Sequence, residues 1–93
     1  MSPHRIWYWA FVERDGKGRF IASVPDFERL TAYGTTEKDA VAEVTRLLVE
    51  HVWSLVEVGQ SVPSASKASD LPSALRSKEV DRVLIPVDIG ALR

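Results

Sequence analysis

The residues of this chain that could do chemistry are few and widely spaced. It contains no cysteine, which excludes disulfides, thiolate catalysis and cysteine-ligated zinc. Its two histidines, His4 and His51, are too far apart to predict a metal site, and we expect His51 to be a partly buried structural imidazole. Gly16-Lys17-Gly18 lacks the spacing of a phosphate-binding loop, and the serines of residues 61–77 have no general base nearby in a motif.

Carboxylates offer one remaining chemistry, nucleic-acid cleavage assisted by two divalent ions. Such a site gathers several carboxylates around the ions, which stabilise both the attacking and the leaving oxygen. The first predicted strand is apolar at its centre, and its acid, Glu13, stands at the far end. Asp88, Glu43 and Glu50 would have to form a rearranged site, but acids on the polar face of a helix are typical of solvated surface. We therefore predict no catalytic residue, no metal site and no cofactor.

The composition predicts one small domain spanning residues 1–93. The chain is 45% hydrophobic and 27% charged, which suits a modest core whose stability self-association or a partner would increase. A net charge of −1 argues against a surface that seeks nucleic acid. The N-terminus lacks the features of a signal peptide and no run approaches the length of a membrane span, so we expect a cytoplasmic protein with no membrane partner.

Hydrophobic periodicity predicts an α+β fold with the element order β-β-β-α-β. Residues 1–59 hold a three-stranded antiparallel meander and one long helix that covers one face, 60–79 form a Ser/Pro-rich connection, and 80–89 form the last strand. The predicted elements are strands Arg5–Glu13, Arg19–Val24 and Arg29–Tyr33, a helix from Glu37 to about Val58, one short helical turn at Asp70-Leu71-Pro72, and a strand Val80–Ile89.

The order of these elements also predicts the direction of the last strand. The right-handed crossover rule would lay it parallel to one of the others. Pro86 places it at an edge or a bulge, because proline cannot donate to a sheet hydrogen bond. In the first hairpin, Asp15-Gly16 is expected to supply the backbone freedom of the turn.

The segment from Val24 to Ala40 combines a strand end, a turn and a helix start. Pro25 and Asp26 close a strand, with Asp26 as a turn-former that bonds nearby backbone amides. Gly34 is expected to take the positive φ of a sharp turn. Thr36, with Asp39 three residues later, forms a pattern like a capping box at the start of the helix.

This arrangement resembles the HicB-like antitoxin domain. The matching residues are Val24, Pro25, Asp26, Gly34, Thr36, Asp39 and Ala40, followed by Gly59, Val62 and Pro63 after the helix, where Gly59 is a natural helix stop. The order and spacing of these residues carry the resemblance, since each alone occurs in many folds. The chain departs from the family pattern at Glu28-Arg29, where Pro-Gly is usual, at Asp39, where Glu is usual, and at Ala65, where a second proline is usual.

The resemblance implies a partial ribonuclease-H-like fold and a function in binding, without catalysis. The implied partner is a HicA-type toxin, a small messenger-RNA-cleaving protein of double-stranded-RNA-binding-like fold, whose catalytic surface the antitoxin covers. Relatives often carry a C-terminal DNA-binding segment, but this chain ends at Arg93, so direct DNA binding is not expected. Two alternatives remain open: an oligomeric regulatory module of the same fold without a toxin, and a degenerate ribonuclease-H-like nuclease.

The first strand carries more apolar surface than one helix can cover. Ile6, Tyr8, Ala10 and Val12 point to one face, whereas Trp7, Trp9 and Phe11 point to the other. Either the 60–78 connection folds over these rings, or they form an interface with a second copy or with the toxin. Trp53, on the helix flank beside Val49, has the same two interpretations. Trp7, Trp9, Phe11 and Trp53 are therefore the candidate interface, and we predict a homo-oligomer.

Overall fold

The computed structural model describes residues 5–27, 30–65 and 79–89, which form four strands and one helix. The elements are β1 (Arg5–Arg14), β2 (Phe20–Ser23), β3 (Thr31–Gly34), α1 (Glu37–Glu57) and β4 (Glu79–Asp88). The predicted order and α+β class are confirmed, with every boundary within two residues of its predicted place. His4, Glu28-Arg29 and the predicted turn at 70–72 lie outside the described residues.

The hairpin between β1 and β2 is organised by Asp15. Its carboxylate accepts hydrogen bonds from the backbone N–H groups of Lys17 and Arg19, at 2.8 and 3.0 Å, and from the Arg19 Nε–H at 2.9 Å. These bonds to the charged form lower the pKa of Asp15. The positive φ of the turn, 80°, belongs to Gly18 and not to Gly16, so the prediction that Asp15-Gly16 supplies the backbone freedom is wrong.

The sheet has the order β3-β2-β1-β4, and every neighbouring pair is antiparallel. β4 pairs with β1 in antiparallel orientation, from Arg5 opposite Asp88 to Val12 opposite Asp81. It therefore runs parallel to β2, as predicted of one of the other strands, but does not pair with it. The crossover rule describes the hand of a connection between parallel strands, and it does not fix the strand with which the last one pairs. β4 is an edge strand of the described sheet, as Pro86 predicts.

Helix α1 lies on one side of the sheet and covers the core. Its fully buried positions recur every fourth residue, as the predicted stripe requires: Ala40, Val44, Leu48 and Val52. At the C-terminus, Gly59 has a φ of 74°, its N–H donates to the Val56 carbonyl, and the Gln60 N–H donates to the Leu55 carbonyl. These two bonds form a Schellman cap, so the predicted helix stop at Gly59 is correct.

The core lies between α1 and one face of the sheet. It consists of alternate strand residues and the two apolar residues of the turn after β2, namely Tyr8, Ala10, Ala22, Val24, Phe27, Ala32, Ile85 and Val87, together with the helix stripe. The described start of the connection, residues 60–65, lies on this same side, where Val62 and Ala65 pack against the core. The other face of the sheet has no such layer among the described residues.

Candidate protein-binding surfaces

The turn that carries the Val24-Pro25-Asp26 motif packs its apolar residues inward. The Phe27 N–H donates to the Val24 carbonyl at 3.0 Å, and the Val24 N–H donates to the Leu30 carbonyl at 3.2 Å, which closes the loop between β2 and β3. Val24 and Phe27 are buried while Pro25 is exposed. The motif therefore directs the two apolar side chains of the turn into the core. The sequence predicted this turn at its observed position.

Gly34 is required for a reason that the sequence did not predict. Its φ is not positive; instead, a Cβ at this position would collide with the Ala40 backbone N and come within 2.8 Å of the Asp39 Cβ. The end of β3 and the first turn of α1 therefore approach more closely than any side chain allows.

The helix start is capped as predicted by Thr36. Its hydroxyl accepts a hydrogen bond from the Asp39 N–H at 3.0 Å, which satisfies one of the free donors of the first turn. The Asp39 carboxylate accepts a hydrogen bond from the Thr35 hydroxyl at 3.1 Å. Next to this cap, the nearby Asp81 carboxyl of β4 raises the pKa of Glu37, because a hydrogen bond between two carboxyl groups requires that one of them is protonated.

Tyr8, at the centre of β1, is fully buried and joins three parts of the molecule. Its hydroxyl donates to the Pro63 carbonyl at 2.7 Å, and its ring meets Phe27 edge-on at 5.0 Å. Burial, with the negative charge of Asp26, raises the pKa of Tyr8 to about 12. Phe27 in turn meets His51 edge-on at 5.3 Å, but His51 is exposed, so the prediction of a partly buried imidazole is wrong.

The side of the sheet away from α1 carries the predicted aromatic row and is here called the open face. Trp7 is 47% exposed and Trp9 is half-buried, whereas Phe11 is only 4% exposed, with the Arg82 guanidinium over its ring at 4.9 Å. Phe11 is therefore part of the packing beneath the surface and offers little area to a partner.

Cross-strand pairing adds residues to the open face that the sequence analysis did not include. Leu84 stands opposite Trp9 and is 43% exposed, and the exposed Pro86 stands opposite Trp7. The alternation of β4 places both residues on the side away from the core, but only the register shows that they adjoin the two tryptophans.

Trp53 lies elsewhere, on the flank of α1, and is 45% exposed. Since α1 covers the opposite side of the sheet, Trp53 cannot share one surface with Trp7 and Trp9. The structure thus divides the candidate interface into two separate surfaces, with Phe11 withdrawn from the first.

The acids considered for metal-assisted cleavage are also separated. Asp88 stands opposite Arg5 at the end of β4, while Glu43 and Glu50 project from α1, where both pair with Arg46. The bond to Arg46 lowers the pKa of Glu43, as expected for a surface ion pair. Within residues 5–27, 30–65 and 79–89 no group of three acidic or histidine side chains is close enough to hold a metal ion.

The helix of the described part of the chain is not apolar enough over a sufficient length to cross a membrane.

Comparison with known proteins places the fold among antitoxins. No protein-family model and no curated protein matches the chain. Among solved structures, it is similar to the N-terminal domain of the Burkholderia pseudomallei antitoxin HicB, with 26% identity and a TM-score of 0.78 over 90% of this chain and 100% of that one. It is also similar to the longer HicB antitoxin from the same organism, with 26% identity and a TM-score of 0.79 over 95% of this chain and 67% of that one.

A third similar structure is a chain of a toxin-antitoxin complex from Streptococcus pneumoniae. The identity is 19% and the TM-score 0.75, over 94% of this chain and 71% of that chain, a level at which the likeness concerns the fold. The resemblance to HicB-like antitoxin domains predicted from the sequence is confirmed.

Proposed function

We propose that this chain, a HicB-like domain by fold and motif, is an antitoxin that binds a HicA-type RNA-cleaving toxin and neutralises it by covering its active surface. The observation that carries the proposal is the likeness to an antitoxin domain over nine tenths of the chain, which extends from the motif residues to the whole fold. The toxin-antitoxin complex of similar fold supports a toxin as the class of partner.

The surfaces of the molecule suit a protein that works by binding. Two tryptophans, Trp7 and Trp53, are nearly half exposed although both are large apolar side chains. Such rings are common anchors in protein interfaces, and burying one stabilises a complex by roughly 1.5–3 kcal/mol. The function is proposed to be free of catalysis, because the acids that could assist cleavage lie on different elements and two of them are already paired with Arg46.

Self-association is the second part of the proposal. The open face presents Trp7, Trp9 and Leu84 as neighbours on two adjoining strands, next to Pro86. An apolar area of this kind can meet its own copy around a twofold axis, since each ring then packs against the same surface of the partner. This contact would also serve a regulatory module that has no toxin, so the open face by itself favours neither of these two functions.

Inhibition of RNA cleavage tests the antitoxin function directly. We expect the toxin to be a small basic protein encoded beside the gene of this chain. Its cleavage of RNA is followed as the chain is added. We expect cleavage to stop near equal molar amounts, and the chain alone, with magnesium or manganese, to leave the RNA intact. Metal-dependent cleavage by the chain that disappears in Asp88→Ala would identify a nuclease, and an unaffected toxin would leave the regulatory module as the better function.

A further inference from the structure

The flank of α1 that carries Trp53 has an apolar stripe beyond the one that covers the core. The stripe runs through Ala42, Val49, Trp53 and Val56, which follow one another at steps of seven, four and three residues. Val49 and Val56 are half-buried at the margin of the core, whereas Ala42 is exposed and Trp53 is 45% exposed. Packing against the core explains why the two valines are apolar. It does not explain why a large apolar ring stands at the exposed position of Trp53.

A row of glutamates borders this stripe. Glu43, Glu50 and Glu57 are spaced seven residues apart, each directly after a residue of the stripe. Glu50 and Glu57 stand three residues before and four residues after Trp53, the spacing of neighbours on a helix surface. The outer flank of α1, defined as these three glutamates and the four residues of the stripe, therefore combines an aromatic anchor with an acidic rim. Arg46 lies between two of the glutamates and pairs with both, so three carboxylates and one guanidinium leave this rim a net charge of −2.

The placement of Glu57 costs stability in the isolated chain. It lies in the last turn of α1, which contains no basic residue, so its negative charge faces the negative end of the helix dipole. Glu43 and Glu50 already pair with the guanidinium of Arg46, at 2.9 Å for Glu50. A cation supplied by a partner would offset the unfavourable position of Glu57 and give the third glutamate of the row a positively charged neighbour.

We infer that the outer flank of α1 is the surface on which the toxin docks, with Trp53 as the anchor and the glutamate row as the electrostatic guide. The inference rests on the proposed function. A protein that cleaves RNA needs a cationic surface for phosphate groups, and an acidic rim is complementary to such a surface. The same rim repels RNA itself, which makes a basic protein the fitting occupant.

The position of the outer flank leaves the open face free. The two surfaces lie on opposite sides of the molecule, because α1 and the open face are on opposite sides of the sheet. One chain can therefore hold a second copy through Trp7 and Trp9 while its helix holds a toxin.

The test measures the affinity of the full chain and of four variants, Trp53→Gln, Glu57→Lys, Tyr33→Gln and Trp7→Gln, for the purified candidate toxin at low and high salt. Trp53→Gln should weaken binding by about tenfold or more, the loss typical of an interface anchor. Glu57→Lys should weaken binding at low salt and less at high salt, while its thermal midpoint stays equal or rises because the new cation suits the helix end. Tyr33→Gln is the matched control for an exposed ring away from α1. Tyr33 is 53% exposed on β3, which β2 separates from the strand that carries Trp7 and Trp9.

The outcomes separate this inference from the proposed function. Wild-type chain that does not bind the toxin overturns both. Wild-type binding that Trp53→Gln changes by less than about twofold overturns the docking surface alone. A loss of affinity with Trp7→Gln but not with Trp53→Gln would place the toxin on the open face, and this result would also overturn the docking surface on α1. Circular dichroism of each variant shows that the helix is retained, and Glu57→Lys gives a loss of binding that unfolding cannot explain.

Discussion

The hydroxyl of Tyr8 connects the first strand to the segment that follows the helix. A buried phenol needs a partner for its O–H, and the Pro63 carbonyl at 2.7 Å supplies one. The side chain is fully buried and its pKa is raised to about 12, so the folded state favours the neutral phenol. In the unfolded chain the same group ionises near pH 10, as an ordinary tyrosine does.

We predict that Tyr8 makes the fold sensitive to alkali. The stability from its neutral form is fully present below a pH of about 10 and is lost as the pH rises through the folded pKa of about 12. Tyr8→Phe should cost on the order of 1 kcal/mol at neutral pH through the lost hydrogen bond. The difference in unfolding free energy between this variant and wild type should become smaller above a pH of about 10. Urea unfolding at a series of pH values measures it.

The exposed Tyr33 provides the control for this residue. Tyr33→Phe removes a hydroxyl on the surface and should follow the wild-type pH profile. If the difference in unfolding free energy between wild type and Tyr8→Phe were the same at every pH, the buried phenol would not control stability in alkali.

The end of β3 and the start of α1 approach each other closely. Gly34 lets the backbone of Asp39 and Ala40 approach the strand. Thr36, two residues after Gly34, caps the helix. A short link with a defined cap fixes the angle at which the helix leaves the sheet, and this angle directs Ala40, Val44, Leu48 and Val52 into the core.

We predict that Thr36→Ala destabilises the protein by about 1 kcal/mol, because the Asp39 N–H loses its acceptor at the helix start. Thr36→Ser keeps an oxygen at the same place and should retain most of the wild-type stability. Chemical denaturation followed by circular dichroism measures both. Equal midpoints for wild type and Thr36→Ala would mean that the helix begins at another residue.

The described residues of the molecule form two layers, a helix and a sheet, and among them no layer covers the second face of the sheet. The helix and the first residues of the connection cover the Tyr8 side of the sheet, whereas Trp7 and Leu84 on the open face remain nearly half exposed. A chain of 93 residues buries a limited share of its surface, so covering this second side by association adds usefully to its stability.

We predict that the chain self-associates through the open face and that replacing Trp7 and Trp9 together by Ser lowers its mass in solution. Two rings removed from water contribute roughly 1.5–3 kcal/mol each, enough to favour a dimer of a small domain. Light scattering measures the mass and circular dichroism the folding. A folded variant that keeps the wild-type mass would exclude these rings from the contact, and a variant that unfolds would assign them to the core.

Features that depend on neighbours in the chain were determined by the sequence alone. The spacing of apolar residues predicted α1 and its buried stripe, Thr36 and Gly59 marked its ends, and Pro86 placed β4 at an edge. These signals are local because helix periodicity, caps and the missing proline N–H act within a few residues.

Only the tertiary structure decided which distant residues meet. The antiparallel pairing of β4 with β1 placed Leu84 beside Trp9 and put Arg82 over Phe11, and the close approach of helix and strand explained Gly34. The fold also set Trp53 on the opposite side from Trp7. Strand register and the covering of a face arise from contacts between segments far apart in the chain, so no local pattern of residues contains them.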